Sequence, residues 1–207
     1  MIHLEALTEQ GKFIFPRLAQ FPDFYLAGGT ALALQIGHRV SVDFDLFSNI
    51  AIDKALLDEV KKVYHESAVS LSANNADELT IFIGDTKLTF LFYPFPVVGD
   101  TVTHEGVKML SVPEIAATKA YTIGRRGSYR DYIDLSFVIA EGFAKLEDII
   151  SLAERKYGGE FNGRLFLEQL VYLSDVEDTQ IKLLRGEAMD TSMLERFFAD
   201  EIKKITL

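Results

Sequence analysis

The segment Leu26–Ser48, LAGGTALALQIGHRVSVDFDLFS, carries the residue types that can hold a polyphosphate beside a divalent cation. Gly28 and Gly29 follow a short aromatic and apolar run and precede a helical pattern. A turn without Cβ atoms lets peptide N–H groups approach an anion at a helix start. Thr30 adds a hydroxyl at the same place. Farther on, Asp43 and Asp45 occupy alternate positions of a predicted strand, which sends both carboxylates to one face. Paired carboxylates form a hard-oxygen site suited to Mg²⁺, which takes one or two protein carboxylates and completes its shell with substrate phosphates. Two acids at i and i+2 are weak evidence alone, since 31 acids in 207 residues give roughly four or five such pairs by composition. The flanking Val42, Phe44, Leu46 and Phe47 strengthen the case, because acids set into an apolar strand are poorly explained as a solvated face. Glycine turn and carboxylate pair together meet the need of nucleotidyl transfer, in which metal neutralises charge on the reacting phosphate.

Other chemistries lack their residues. The chain has no cysteine, which removes disulfides, thiolate zinc sites and cysteine nucleophiles. The four histidines, His3, His38, His65 and His104, are scattered and form no HExxH pair. There is no GxxxxGK[ST] phosphate loop and no GxSxG nucleophile turn. The segment Phe90–Phe95 reads as core strand rather than a base-stacking platform, since its alternation includes no Arg or Lys.

Those candidates need elements to position them. Phe24–Ala27 predicts a buried strand, Thr30–Ile36 a helix stopped by Gly37, and Val42–Phe47 the strand that bears the two acids. Asp53–Tyr64 reads as a helix. Ala68–Ala73, Leu79–Ile83 and Lys87–Tyr93 read as strands separated by Asn74-Asn75 and Gly84-Asp85. Beyond Leu110 the pattern turns helical: Pro113–Ile123, Tyr129–Glu141, Leu146–Tyr157, Gly163–Leu173, Asp178–Leu184 and Thr191–Ile202. Ser111 and Glu114 have the spacing of a capping box. The expectation is an α+β fold, a mixed sheet with flanking helices followed by a helical C-terminal half. The domains are 1–110, the sheet core, and 111–207, a helical region packed on that core.

Net charge is −10, from 21 basic and 31 acidic residues, which argues against a surface coated for nucleic acid. A local patch remains: Lys119, Arg125, Arg126 and Arg130 fall in a window without acids. The opening MIHLEALTEQGKF has no basic segment followed by an apolar core, and no apolar run is long enough to span a bilayer. These features predict a cytoplasmic protein with no membrane contact.

The stretch resembles the signature of the nucleotidyltransferase superfamily whose fold is shared with DNA polymerase β. It resembles more closely the AbiEii/AbiGii toxin family of bacterial nucleotidyltransferases. The family's glycine pair, Ser or Thr, basic residue and Asp-x-Asp are matched by Gly28, Gly29, Thr30, Arg39, Asp43 and Asp45. A second block, TKAYTIGRRGSYRDYIDL, resembles the later family segment through Lys119, Arg125, Arg126, Arg130, Asp131 and Asp134. The likeness spans roughly residues 24–138.

The resemblance implies that Asp43 and Asp45 hold Mg²⁺ or Mn²⁺. It implies that Gly28, Gly29 and Thr30 cradle the phosphates of an NTP, and that Arg39 and Lys119 contact the nucleotide. It further implies a third carboxylate on the strand neighbouring the acids. KLTFLFY at 87–93 has none, so Asp131 or Asp134 is the candidate catalytic substitute. The implied activity is transfer of a nucleoside monophosphate to an acceptor hydroxyl. The implied setting is a toxin–antitoxin or phage-defence toxin acting on RNA such as tRNA, bound through the Lys119–Arg130 patch, with a possible antitoxin partner. Two alternatives stay open: a nucleotide-binding or interaction protein on this fold that has lost catalysis, and a small-molecule adenylyltransferase.

Overall fold

The computed structural model describes residues 2–177, 179–187 and 189–205. The chain divides into two compact units, Met1–Pro96 with Thr101–Leu110, and Val97–Asp100 with Ser111–Leu207.

The first unit is built on one seven-stranded mixed sheet. Its strands are β1 (Tyr25–Ala27), β2 (Phe44–Ser48), β3 (Val69–Asn74), β4 (Glu78–Ile83), β5 (Thr86–Phe92), β6 (Thr101–His104) and β7 (Val107–Leu110). They lie in the order β3-β4-β5-β2-β1-β7-β6. Helices α1 (Glu9–Ile14), α2 (Gly28–Ile36) and α3 (Leu56–Val63) complete the unit. β2 is central: it pairs antiparallel with β1, Ala27 opposite Asp45, and parallel with β5, Asp45 opposite Thr89.

The pleat sorts the central strands into two faces. Leu26, Phe44, Leu46, Leu79, Ile81, Ile83, Leu88 and Phe90 are buried and form one face, where Phe21 and Phe24 both meet Phe90 edge-on at 5.0 Å. Each large side chain on this face stabilises the unit by about 1.5–3 kcal/mol relative to exposure. The other face carries Tyr25, Ala27, Asp45, Phe47, Thr89 and Leu91, most of them half-exposed. Burying one face is what fixes the register, because a slip of one residue would drive Asp45 into the core.

Several local expectations shift. The acid-bearing strand begins at Phe44, so Asp43 lies just ahead of it. The alternation of half-buried and buried positions nevertheless runs unbroken from Asp43 to Ser48. Gly28 and Gly29 are the first turn of α2 rather than a loop before it. Gly37 ends that helix as expected, left-handed at φ +63° with its N–H on the Ala33 carbonyl at 2.8 Å. The hairpin β6–β7 was not legible; Glu105 and Gly106 turn it with φ of +49° and +81°. Phe90–Phe95 is only half core: Phe90 is buried, whereas Leu91, Tyr93 and Phe95 are half-exposed.

The second unit is helical: α4 (Val112–Arg126), α5 (Tyr129–Ala140), α6 (Leu146–Tyr157), α7 (Gly163–Leu170) and α8 (Thr191–Ile202). Ile115, Ala116, Ala120, Ile133, Leu135, Ile149, Ala153, Phe166, Leu194 and Phe198 form its interior. The helix expected at 178–184 is absent from the described residues 179–184, and Asp178 lies outside them. The Ser111–Glu114 capping box does not form. Glu114 is fully buried; its Oε1 accepts from the N–H groups of Val98 and Gly99 at 2.6 and 2.5 Å, and its Oε2 meets Lys156 at 2.6 Å. A buried carboxylate is more stable satisfied by a cation and two peptide donors than turned toward a helix end. No helix of the described residues is long and apolar enough to cross a membrane.

Candidate active site

The site in the first unit is organised by one close approach. Gly28 adopts φ +66°, and a Cβ built there would stand 2.8 Å from Asp45 Oδ2. Only glycine combines a left-handed backbone with that space. The Asp45 carboxylate is thereby set directly against the first turn of α2, where unsatisfied peptide donors and the positive end of the helix favour anions.

Thr30 fixes the other side of this arrangement. It is 2% exposed; its hydroxyl lies 2.7 Å from Ser41 Oγ and also reaches the Asp43 carbonyl oxygen. Ser41 in turn donates its N–H to the Ala6 carbonyl at 2.8 Å. Thr30 thus ties the backbone of the acid-bearing segment to α2 from inside. Ser41 was not singled out from sequence, although a serine between Val40 and Val42 is the same kind of signal as an acid in an apolar strand. Arg39 is 5% exposed, with Nη1 on the Val40 carbonyl at 3.2 Å.

Asp43 and Asp45 have the donor chemistry that Mg²⁺ or Mn²⁺ takes, two hard carboxylates whose ligand shell phosphate oxygens and water can complete. The described residues contain no group of three or more His, Asp or Glu that could hold a metal. A bound cation would draw its remaining ligands from substrate and water. On β5 the residue opposite Asp45 is Thr89, whose hydroxyl lies 3.2 Å from Thr80 Oγ1; Thr80 also reaches Glu78 Oε1 at 2.5 Å.

The second block forms a separate cluster within the second unit. Lys119, 6% exposed, holds Asp131 Oδ1 at 2.8 Å and Asp134 Oδ2 at 2.7 Å, and Asp134 is fully buried. Asp131 Oδ2 also accepts from the Ser128 N–H at 3.0 Å and its hydroxyl at 2.7 Å, closing the start of α5. Burial pushes the Asp131 carboxyl upward, but the Lys119 charge and the bonds from Lys119 and Ser128 outweigh it and hold the pKa below the ordinary aspartate value. A carboxylate held ionised by three donors is a poor proton acceptor. Of the four cations in the acid-free window, Lys119 is buried, and Arg125, Arg126 and Arg130 are exposed. The Arg125 guanidinium stacks on Tyr121 at 3.7 Å and reaches the Glu160 carbonyl at 2.7 Å.

Residues 13–204 match the family described as nucleotidyl transferase AbiEii toxin, type IV TA system. An uncharacterised Aquifex aeolicus protein, aq_aa25, is 30% identical over 158 residues, 75% of this chain and 76% of that protein. Among solved structures, the nucleotidyltransferase toxin MenT4 of Mycobacterium tuberculosis H37Rv superposes with a TM-score of 0.59 at 16% identity, covering 94% of this chain and 83% of that one. ANT(2″)-Ia in complex with adenylyl-2″-tobramycin superposes with a TM-score of 0.51 at 16% identity, over 72% of this chain and 97% of that one. At these identities the structural likenesses speak for the fold.

Proposed function

Because this chain belongs to the nucleotidyl transferase AbiEii toxin family of type IV toxin–antitoxin systems, and is a nucleotidyltransferase on that ground, we propose that it moves a nucleoside monophosphate from an NTP to an acceptor hydroxyl on RNA. The carrying observation is the contact between the left-handed Gly28 and the Asp45 carboxylate. In this reading it sets a helix start suited to an anion beside a carboxylate suited to a divalent cation.

In this reading the peptide donors of Gly28 and Gly29 hold the phosphate tail, while Asp43 and Asp45 would hold Mg²⁺ or Mn²⁺. The metal, when bound, neutralises charge on the phosphates during displacement. Thr30, through Ser41 and the Asp43 carbonyl, keeps the acid-bearing strand in place. The acceptor oxygen bonds to the α-phosphorus as the bond to the β-phosphate bridge breaks; pyrophosphate leaves and the acceptor proton passes to water. Transfer of this kind depends mainly on positioning and charge stabilisation. Arg39 is the proposed nucleotide-binding cation; Lys119, taken up by Asp131 and Asp134, is proposed to hold α5 to α4 rather than the nucleotide. Arg125, Arg126 and Arg130 are the exposed cations for an RNA acceptor, and an antitoxin is the proposed partner. The setting proposed is the cytoplasm.

The absence of an acid on β5 favours a second reading, a protein that binds nucleotide without transferring it. Incubating the protein with total RNA, each NTP, and Mg²⁺ or Mn²⁺ separates the two. RNA labelling with stoichiometric pyrophosphate release supports transfer. Tight nucleotide binding with neither product supports the inactive reading.

A further inference from the structure

The face of the sheet that bears Asp45 also bears a continuous row of aromatic rings. Tyr25 on β1 stands opposite Phe47 on β2, their ring centroids 6.2 Å apart and near perpendicular. Phe47 stacks on Tyr93 at 4.5 Å and 26° between planes, and Tyr93 meets Phe95 edge-on at 5.4 Å. Tyr93 extends the ladder past the end of β5, its N–H on the Ser48 carbonyl at 2.6 Å. Phe47 follows Asp45 by two residues, so the pleat puts both side chains on one face. All four rings are half-exposed, whereas Phe90, on the opposite face, is buried.

We propose that the Tyr25–Phe47–Tyr93–Phe95 row is the subsite on which the terminal nucleobase of a single-stranded RNA acceptor stacks. The proposal rests on the transfer reading above and adds the acceptor's place. Along the sheet face the order is Gly28 turn, Asp45, then Phe47 with Tyr25 and Tyr93. Displacement at phosphorus keeps the attacking and leaving oxygens roughly in line. With the leaving pyrophosphate at the glycine turn and the α-phosphorus at Asp45, the attacking hydroxyl arrives from the side of Phe47. That geometry assigns the rings to the acceptor rather than to the base of the NTP. Every nucleobase has a face on which an aromatic ring can stack, so the row suits the last base of a strand whatever its sequence.

The test uses the full chain and a short single-stranded RNA whose last base is 2-aminopurine, a fluorophore quenched by stacking. Wild type is expected to quench the probe. Phe47→Leu and Tyr93→Leu are expected to weaken binding about tenfold each and to lose the quench, with NTP affinity unchanged. Tyr93→Phe, which keeps the ring, is expected to restore both. Circular dichroism and Tm establish that each variant is folded, and Tyr93→Leu stands alone if Phe47→Leu is not. Wild-type affinity and quench retained in both leucine variants overturn the subsite, as does a probe that binds wild type without quenching or not at all. A wild type that binds and quenches the probe yet transfers no nucleotide leaves the subsite standing and defeats the transfer reading instead.

Discussion

Asp45 Oδ2 lies 2.8 Å from the point at which a side chain on Gly28 would begin. No residue but glycine fits there without displacing the carboxylate. Gly28→Ala is expected to cost about 1–3 kcal/mol through the left-handed backbone alone. It should also abolish transfer by pushing Asp45 aside. Thermal denaturation and transfer rate measured together check this, and a fully active Gly28→Ala protein would refute the contact's importance.

Thr30 separates positioning from phosphate contact. Its hydroxyl is directed inward to Ser41 and the Asp43 carbonyl, so Thr30→Val leaves buried acceptors short of a donor at a cost of about 1–3 kcal/mol. Thr30→Ser, which keeps the hydroxyl, should restore most of that stability. The transfer rate of Thr30→Val should fall more than its NTP affinity does, because the hydroxyl holds the strand rather than the ligand. An NTP affinity loss larger than the rate loss would return Thr30 to the phosphate site.

The Lys119 cluster predicts a strong asymmetry. Lys119→Met leaves the fully buried Asp134 without its cation, and breaking one side of a buried pair costs about 3–5 kcal/mol. Arg126→Ala, at an exposed position, should leave Tm almost unchanged while weakening RNA labelling. Chemical denaturation of both variants is the measurement.

Asp131 carries a pH signature. Its folded pKa is below the ordinary value, so the folded state binds fewer protons than the unfolded one as pH falls. Its contribution is fully present above about pH 4, the unfolded aspartate range, and is lost as pH drops through the lowered folded value. Wild type should exceed Asp131→Asn in Tm at neutral pH, and the gap should narrow below about pH 4. A gap independent of pH would contradict the ion-pair account.

Much of this architecture was legible in the sequence where local signals agreed with tertiary demand. α6 and α8 fall on their expected residues because their apolar stripes follow the helical period. The alternation from Asp43 to Ser48 was readable because one face of β2 is buried. What was missed depended on distant partners. Glu114 has the spacing of a cap, but Lys156 and the 98–99 peptides claim it. The β6–β7 turn uses Glu105 at positive φ, where Asn or Asp before glycine is the usual cue. For the candidate site, the glycine pair, Thr30 and the two acids are legible as residue types in a pattern. Ser41 and the aromatic row are not, since a hydroxyl partner and a shared sheet face emerge only from strand register.

If the Gly28–Asp45 site passes a nucleotidyl group, NTP labelled at the α-phosphate and NTP labelled at the γ-phosphate must give different labelled products. The α-label is expected to enter RNA and the γ-label to leave as pyrophosphate, and Asp45→Asn is expected to stop both while the protein stays folded. Entry of γ-label into RNA, or α-label transfer undiminished in Asp45→Asn, would contradict it.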